Sequence, residues 1–141
     1  MILYLDTSAL VKLYVPEPDS ALIQQSVDAA ELSSTSRIAY VEARAAFARK
    51  RRERAVTPRD YQTIIQDFAD DWETFFIVDV SDALTKRAAQ LAERFALRGY
   101  DAIHLASAVI VGEQGNQPVR FACFDEKLSR AARRQGLIGL T

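Results

Sequence analysis

The sequence holds one cysteine, Cys123, and one histidine, His104. A single cysteine excludes an intrachain disulfide and fits a reducing compartment. One histidine and one cysteine cannot build the nitrogen and sulfur cluster that zinc prefers. Long apolar runs are also missing. The stretch around Leu105–Val111 is bounded by His104 on one side and by Gly112 and Glu113 on the other, too short to span a bilayer. No basic segment precedes the first apolar stretch and Asp6 interrupts it, so no secretory leader is expected. The expectation is a cytoplasmic protein with no membrane association. No glycine-rich turn follows Met1–Leu5, as a dinucleotide-binding module requires. Repeats, low-complexity tracts and linkers are absent, so the 141 residues are expected to form one domain over 1–141. Net charge is only −1, which leaves no overall attraction to polyanions.

Apolar residues make up 49% of the chain and charged residues 26%, the balance of a folded globular protein. Residues 2–6 read as a buried strand, followed by a short helix over 8–14 that stops before Pro16. Asp19 or Ser20 can cap a helix over 21–29. Leu32–Ser34 reads as a short strand. The segment STSRIAYVEARAAFARKRRER offers caps and then a long helical pattern, and Pro58 suits the first turn of the next helix. These two helices are expected to pair as a hairpin. FFIVDV reads as a strand, and Ser81 or Asp82 can cap a helix that Gly99 ends. YDAIHLASAVIVG is apolar on nearly every side and predicts a central buried helix. VRFACF is a further strand ending on Asp125, and a helix over 126–135 and the stub LIGL follow. Strands alternating with helices predict an α/β fold with a mainly parallel sheet covered on both faces.

Acidic residues fall where such a sheet gathers its ligands. In an open parallel sheet the carboxyl ends of the strands form one edge, and ligands bind there. Asp6 and Asp125 end the first and last strands, and Asp101 opens the buried helix. Glu42 lies between Ile38 and the pair Ala45 and Ala46, within the apolar face of its helix. Each has a plain structural explanation: Asp6, Asp101 and Asp125 as helix caps, Glu42 as an ion-pair partner. All four would have to be coincidences of position. Asp79 also lies near a strand end, but Val80 and Ser81 follow it, and it reads as structural. Carboxylates gathered on one edge repel each other, and a divalent cation resolves the conflict. An all-oxygen set favours Mg²⁺, or Mn²⁺, over zinc. Two basic clusters, Arg49–Arg54 and Lys127–Arg134, suit a polyanionic backbone, with Arg49, Lys50, Arg52, Arg130 and Arg133 as the candidate contacts. An acidic centre with basic helices beside it points to a nuclease. A phosphoryl-aspartate hydrolase needs a second aspartate two residues after the first, where Ser8 stands. A receiver domain needs paired acids near the first strand end.

The blocks LDTSALVKLY, YVEA, LRGYDAIHLASA and FACFDEKLSRAARRQGL, in this order and spacing, resemble the PIN-domain ribonucleases and, more narrowly, the VapC-type toxins of toxin–antitoxin pairs. The resemblance implies a PIN-like three-layer α/β/α sandwich with a helical hairpin clip. It implies an Mg²⁺- or Mn²⁺-dependent endoribonuclease with Asp6, Glu42, Asp101 and Asp125 as catalytic and metal-binding acids. Asp6 and Asp101 match the most central ligands, and Ser8 matches a supporting hydroxyl. Cys123 departs from the pattern, because many relatives carry a small hydroxyl residue there, two before the last acid. His104, three residues past Asp101, is expected to be a packing histidine. The implied partners are an RNA substrate, a cognate antitoxin protein and a second copy in a homodimer. An amphipathic antitoxin helix is expected to lie in a groove framed by Tyr40, Phe47, Tyr61, Phe68, Trp72 and Phe75, with an arginine reaching the acids. The alternatives are a housekeeping RNA-processing nuclease and a catalytically silent PIN-like binding module.

Overall fold

The computed structural model describes residues 1–140. Four strands, β1 (Ile2–Leu5), β2 (Leu32–Ser36), β3 (Phe76–Val78) and β4 (Val119–Ala122), form one sheet in the order β3-β2-β1-β4. All three pairings are parallel, with Ile2 opposite Leu32 and Val119, and Ser34 opposite Phe76. The helices are α1 (Thr7–Val11), α2 (Ser20–Ala29), α3 (Ala39–Arg52), α4 (Pro58–Trp72), α5 (Asp82–Phe95), α6 (Gly99–Gly115) and α7 (Glu126–Arg134).

Strand alternation builds the two cores. Ile2 and Tyr4 of β1 pack with Phe121 against α5, α6 and α7. Leu3 and Leu5 point the other way, into a core shared with α1, α2, α3 and α4. The result is the expected three-layer α/β/α arrangement with α3 and α4 as a hairpin. β2 is unexpectedly polar for a strand buried on both faces. Its hydroxyls explain it: Ser34 Oγ donates to the Phe76 carbonyl at 2.8 Å and Thr35 Oγ1 to the Leu5 carbonyl at 2.7 Å. A buried hydroxyl that finds a partner carries little desolvation cost. Because of these bonds β2 runs to Ser36 rather than ending at Ser34.

Several boundaries shift for local reasons. Asp6 leaves β1 and becomes the N-cap of α1, accepting from the Ala9 N–H at 3.0 Å. Residue 19 holds the N-cap position of α2 without a side-chain cap bond, while Ser81 caps α5 by accepting from the Leu84 N–H at 3.1 Å. Pro58 does open α4, with Thr57 as its cap. Gly99 does not end α5. The chain leaves that helix at Ala96, held left-handed at φ 54°, and Gly99 instead begins α6. Gly112 has a packing role: a Cβ there would meet Val119 Cγ2 at 2.9 Å, so α6 seats closely on β4 only without a side chain. The closing stub adds a parallel bridge beside β4, Arg120 opposite Ile138. Among the described residues, no helix is long and apolar enough to cross a membrane.

Candidate active site

The strand order reverses at β1: the chain runs outward through β2 and β3, then returns to place β4 on the other side of β1. At the carboxyl edge of such a reversal the connections part and leave a crevice. A cavity of about 350 Å³ lies there, and all four candidate acids, Asp6, Glu42, Asp101 and Asp125, line it. They arrive from the end of β1, the first turn of α3, the first turn of α6 and the cap of α7.

Each acid gives one oxygen to the protein framework. Asp6 Oδ1 accepts from Ser8 Oγ at 2.7 Å and from the Ala9 N–H at 3.0 Å. Glu42 Oε1 accepts from Thr7 Oγ1 at 2.6 Å and meets His104 Nε2 at 3.1 Å. Asp101 Oδ2 takes the Arg98 guanidinium at 3.1 Å, and Asp125 Oδ1 caps α7 through the Leu128 N–H at 2.8 Å. The second oxygen of each carboxylate lies outside these bonds. For the buried or half-buried Asp6, Glu42 and Asp101 that oxygen is also not sealed from solvent. Capping is therefore real for Asp6 and Asp125, but it consumes only half of each group. Asp101 does not cap α6 at all, since Arg98 holds the N-cap position. Among the described residues, no three histidine, cysteine or acidic side chains form a preassembled metal-binding cluster.

Electrostatics separates two of the acids. Burial pushes the Asp6 carboxyl above its ordinary value; His104, Ser8 and the Ala9 N–H pull it down, while Asp101 adds to the rise. Glu42 shows the opposite balance. Burial raises it, but the hydrogen bonds from His104 and Thr7 outweigh burial and hold it below the usual carboxylate range.

His104 is more than packing. It is 2% exposed, and both ring nitrogens are engaged. The Tyr4 hydroxyl lies 2.8 Å from Nδ1, and Nε2 faces both Glu42 Oε1 and, at 3.2 Å, Thr7 Oγ1. Tyr4 and Nδ1 share one hydrogen bond, and Nε2 is placed to donate to the Glu42 carboxylate. Thr7 and Tyr4 escaped sequence reasoning. Thr7 adjoins a candidate acid, which was a usable signal. Tyr4 lies in an apolar strand and offered none.

Arg98 is the arginine lining the cavity, and its residue type and place just before α6 gave no warning of it. The basic clusters lie elsewhere. Glu42 is in the first turn of α3 and Arg49–Arg52 in its last, about 10–15 Å further along at 1.5 Å per residue. Arg49 and Arg52 are exposed, and Lys50 pairs with Glu17 at 3.8 Å. On α7, Arg130 binds Glu126 at 3.0 Å and Arg133 binds Ser129 Oγ at 3.2 Å. Asp79 forms an exposed pair with Arg37 at 2.8 Å, the structural role expected of it. Cys123 does not reach the Asp125 carboxylate: its Sγ lies 3.6 Å from the Asp125 carbonyl oxygen, and burial, first, pushes the thiol up to about 12. Two of the hairpin aromatics expected to frame a groove are core residues instead. Phe47 and Phe68 are fully buried, and Phe68 stacks or meets edge-on with Tyr14, Tyr40, Phe47 and Trp72 at 5.4–5.6 Å. The rings fill one another's space, because aromatic faces and edges attract.

The PIN domain family model matches residues 3–134. Ribonuclease VapC45 of Mycobacterium tuberculosis (strain CDC 1551 / Oshkosh) is 36% identical over 135 residues, covering 96% of this chain and 92% of that protein. Among solved structures, FitAcB from Neisseria gonorrhoeae superposes with a TM-score of 0.69 at 18% identity, covering 100% of this chain and 97% of that one. A toxin–antitoxin complex from Klebsiella pneumoniae gives 0.56 at 18% identity, covering 84% and 83%. With the parallel sheet, the hairpin and the cavity at the reversal point agreeing, this chain belongs to the PIN-domain family and, within it, to the VapC type.

Proposed function

We propose that this chain is a divalent-metal-dependent endoribonuclease, organised as one domain over residues 1–141, and the toxin of a toxin–antitoxin pair. The observation that carries the reading is the meeting of Asp6, Glu42, Asp101 and Asp125 in one cavity, each with an oxygen outside the framework bonds. The ribonuclease name of the mycobacterial relative supports RNA as substrate. The toxin–antitoxin neighbour supports a protein antitoxin, and a homodimer belongs to the same reading.

The donor set fits a hard cation: oxygen only, anionic, partly desolvated. A preassembled cage is unnecessary, since Mg²⁺ keeps several waters and commonly takes one or two carboxylates with substrate phosphate oxygens. The buried Asp6 and Asp101 would hold it, with Asp125 and Glu42 completing the shell, and Mn²⁺ suits the same donors. Once bound, such an ion supplies the positive charge that activates water and offsets charge on the phosphate and the leaving oxygen. Ser8 and the start of α1 fix Asp6. Thr7 and His104 keep Glu42 ionised, so it stands at the site as an anionic oxygen donor. The Cys123 thiol is held far from ionisation and is no covalent nucleophile, and Ser8 serves as the support of Asp6. Direct hydrolysis then leaves 5′-phosphate and 3′-hydroxyl ends. Arg49, Lys50, Arg52, Arg130 and Arg133 serve as outlying phosphate contacts, each worth about one unit of salt-dependence slope.

The test is incubation with single-stranded and structured RNA in Mg²⁺, Mn²⁺ or chelator. Cleavage only with metal, abolished in Asp101→Asn, is expected. Equal cleavage in chelator refutes the metal role, and activity surviving Asp101→Asn refutes the site. For the toxin role, induction in a bacterial host should arrest growth, with relief by the product of the neighbouring gene. A harmless but active chain would make RNA processing the better account.

A further inference from the structure

Three of the cavity acids follow an exposed apolar residue: Val41 precedes Glu42, Tyr100 precedes Asp101, and Phe124 precedes Asp125. Tyr100 and Phe124, 46% and 39% exposed, line the cavity themselves. Neither ring joins any of the aromatic pairs of the core. Each instead has a cation near one face. Arg98 Cζ lies 5.0 Å from the Tyr100 centroid, and Lys12 Nζ lies 4.7 Å from that of Phe124. These cations are themselves tied down, Arg98 to Asp101 and Lys12 to Glu17 and the Pro18 carbonyl. The rings are thus braced, yet remain open to solvent at the rim of a polar cavity. An amphipathic helix needs a continuous apolar strip, and here acids interrupt it. A chain alternating flat π-faces with anionic links matches the pattern: bases seek the rings, and a phosphate between them meets the acids through their cation.

We propose that Tyr100 and Phe124 are stacking platforms that hold the bases beside the scissile phosphate. The proposal rests on the ribonuclease reading and adds two positioning side chains to its site. Every base presents a π-face, so the platforms position the strand without reading its sequence.

The experiment measures anisotropy of a fluorescein-labelled single-stranded RNA oligonucleotide and of the same RNA in a duplex, in Ca²⁺ and in chelator, for the full-length protein. Variants are Tyr100→Leu and Phe124→Leu, which keep apolar area without a ring, and Tyr100→Trp and Phe124→Trp, which keep a ring. Circular dichroism checks folding. The expected result is about 5- to 100-fold weaker single-strand binding per leucine variant, near-wild-type binding for the tryptophan variants, and weak duplex binding throughout. A 2-aminopurine in the strand should be quenched by wild type and not by the leucine double variant. Leucine variants that bind and cleave like wild type overturn the platforms while leaving the ribonuclease reading intact. Equal affinity for duplex also overturns them. Leucine variants that lose only antitoxin binding reassign the rings to the protein partner. A wild type that neither binds nor cleaves RNA removes both readings.

Discussion

Replacing His104 by leucine removes the central link between a buried tyrosine and a site carboxylate, and its cost can be worked from two contacts. The Tyr4 hydroxyl is fully buried and bonds Nδ1 at 2.8 Å. Stripping a buried hydroxyl of its partner costs about 1–3 kcal/mol. The Nε2–H bond to Glu42 is charge-assisted, in the class worth about 1.5–3 kcal/mol, but Thr7 still donates to the same oxygen at 2.6 Å, so the low end applies. The sum is about 2.5–4.5 kcal/mol. At roughly 3 °C per kcal/mol for a chain of this size, the melting temperature should fall by about 8–14 °C. His104→Gln can keep the donor to Glu42 and should cost roughly half as much. Glu42 provides a second readout. Its folded carboxyl is held below the ordinary glutamate range, so its share of stability is complete above the unfolded value and is lost as pH falls through the folded one. In His104→Leu the burial remains while its main offset is gone, so the Glu42 carboxyl should titrate higher. Urea unfolding at neutral pH and carboxyl-carbon NMR titration check the two arms. A loss below about 0.5 kcal/mol, or a Glu42 titration that does not move upward, refutes the reasoning.

Phe68→Ala should cost about 3–5 kcal/mol, because a fully buried ring touching four other rings leaves a cavity the hairpin cannot close; urea midpoints at unchanged m-value measure it. Ala96→Gly should stabilise by about 1 kcal/mol, since the left-handed φ of 54° strains a side chain and not glycine; a thermal melt reads the rise. Cys123, buried with its thiol pushed up to about 12, should resist iodoacetamide at pH 8 in the native state and react quickly in urea; fast native alkylation timed by mass spectrometry would contradict the burial.

Much of this molecule was legible in one dimension because its signals are local. Apolar runs ending in Asp6 and near Asp125, the all-round apolar α6 and the cap residues Thr57 and Ser81 need only their neighbours in sequence to declare strands, buried helices and starts. Alternation of strand and helix then implies a parallel sheet and a ligand edge, which is why the four acids could be named as a set. Other features depend on partners far apart in the chain. LSSTS became a buried strand because carbonyls at Leu5 and Phe76 take its hydroxyls. His104 became a bridge because Tyr4 lies 100 residues away in sequence and 2.8 Å away in space. Hairpin rings that periodicity could assign to a groove were drawn into one another, since ring packing is decided by the angle at which two helices meet. Sequence alone determined which residues carry charge and which segments become strands and helices; only the tertiary structure decided which oxygen of each acid is spent on the framework and which is left, because that is set by donors the fold brings from other elements.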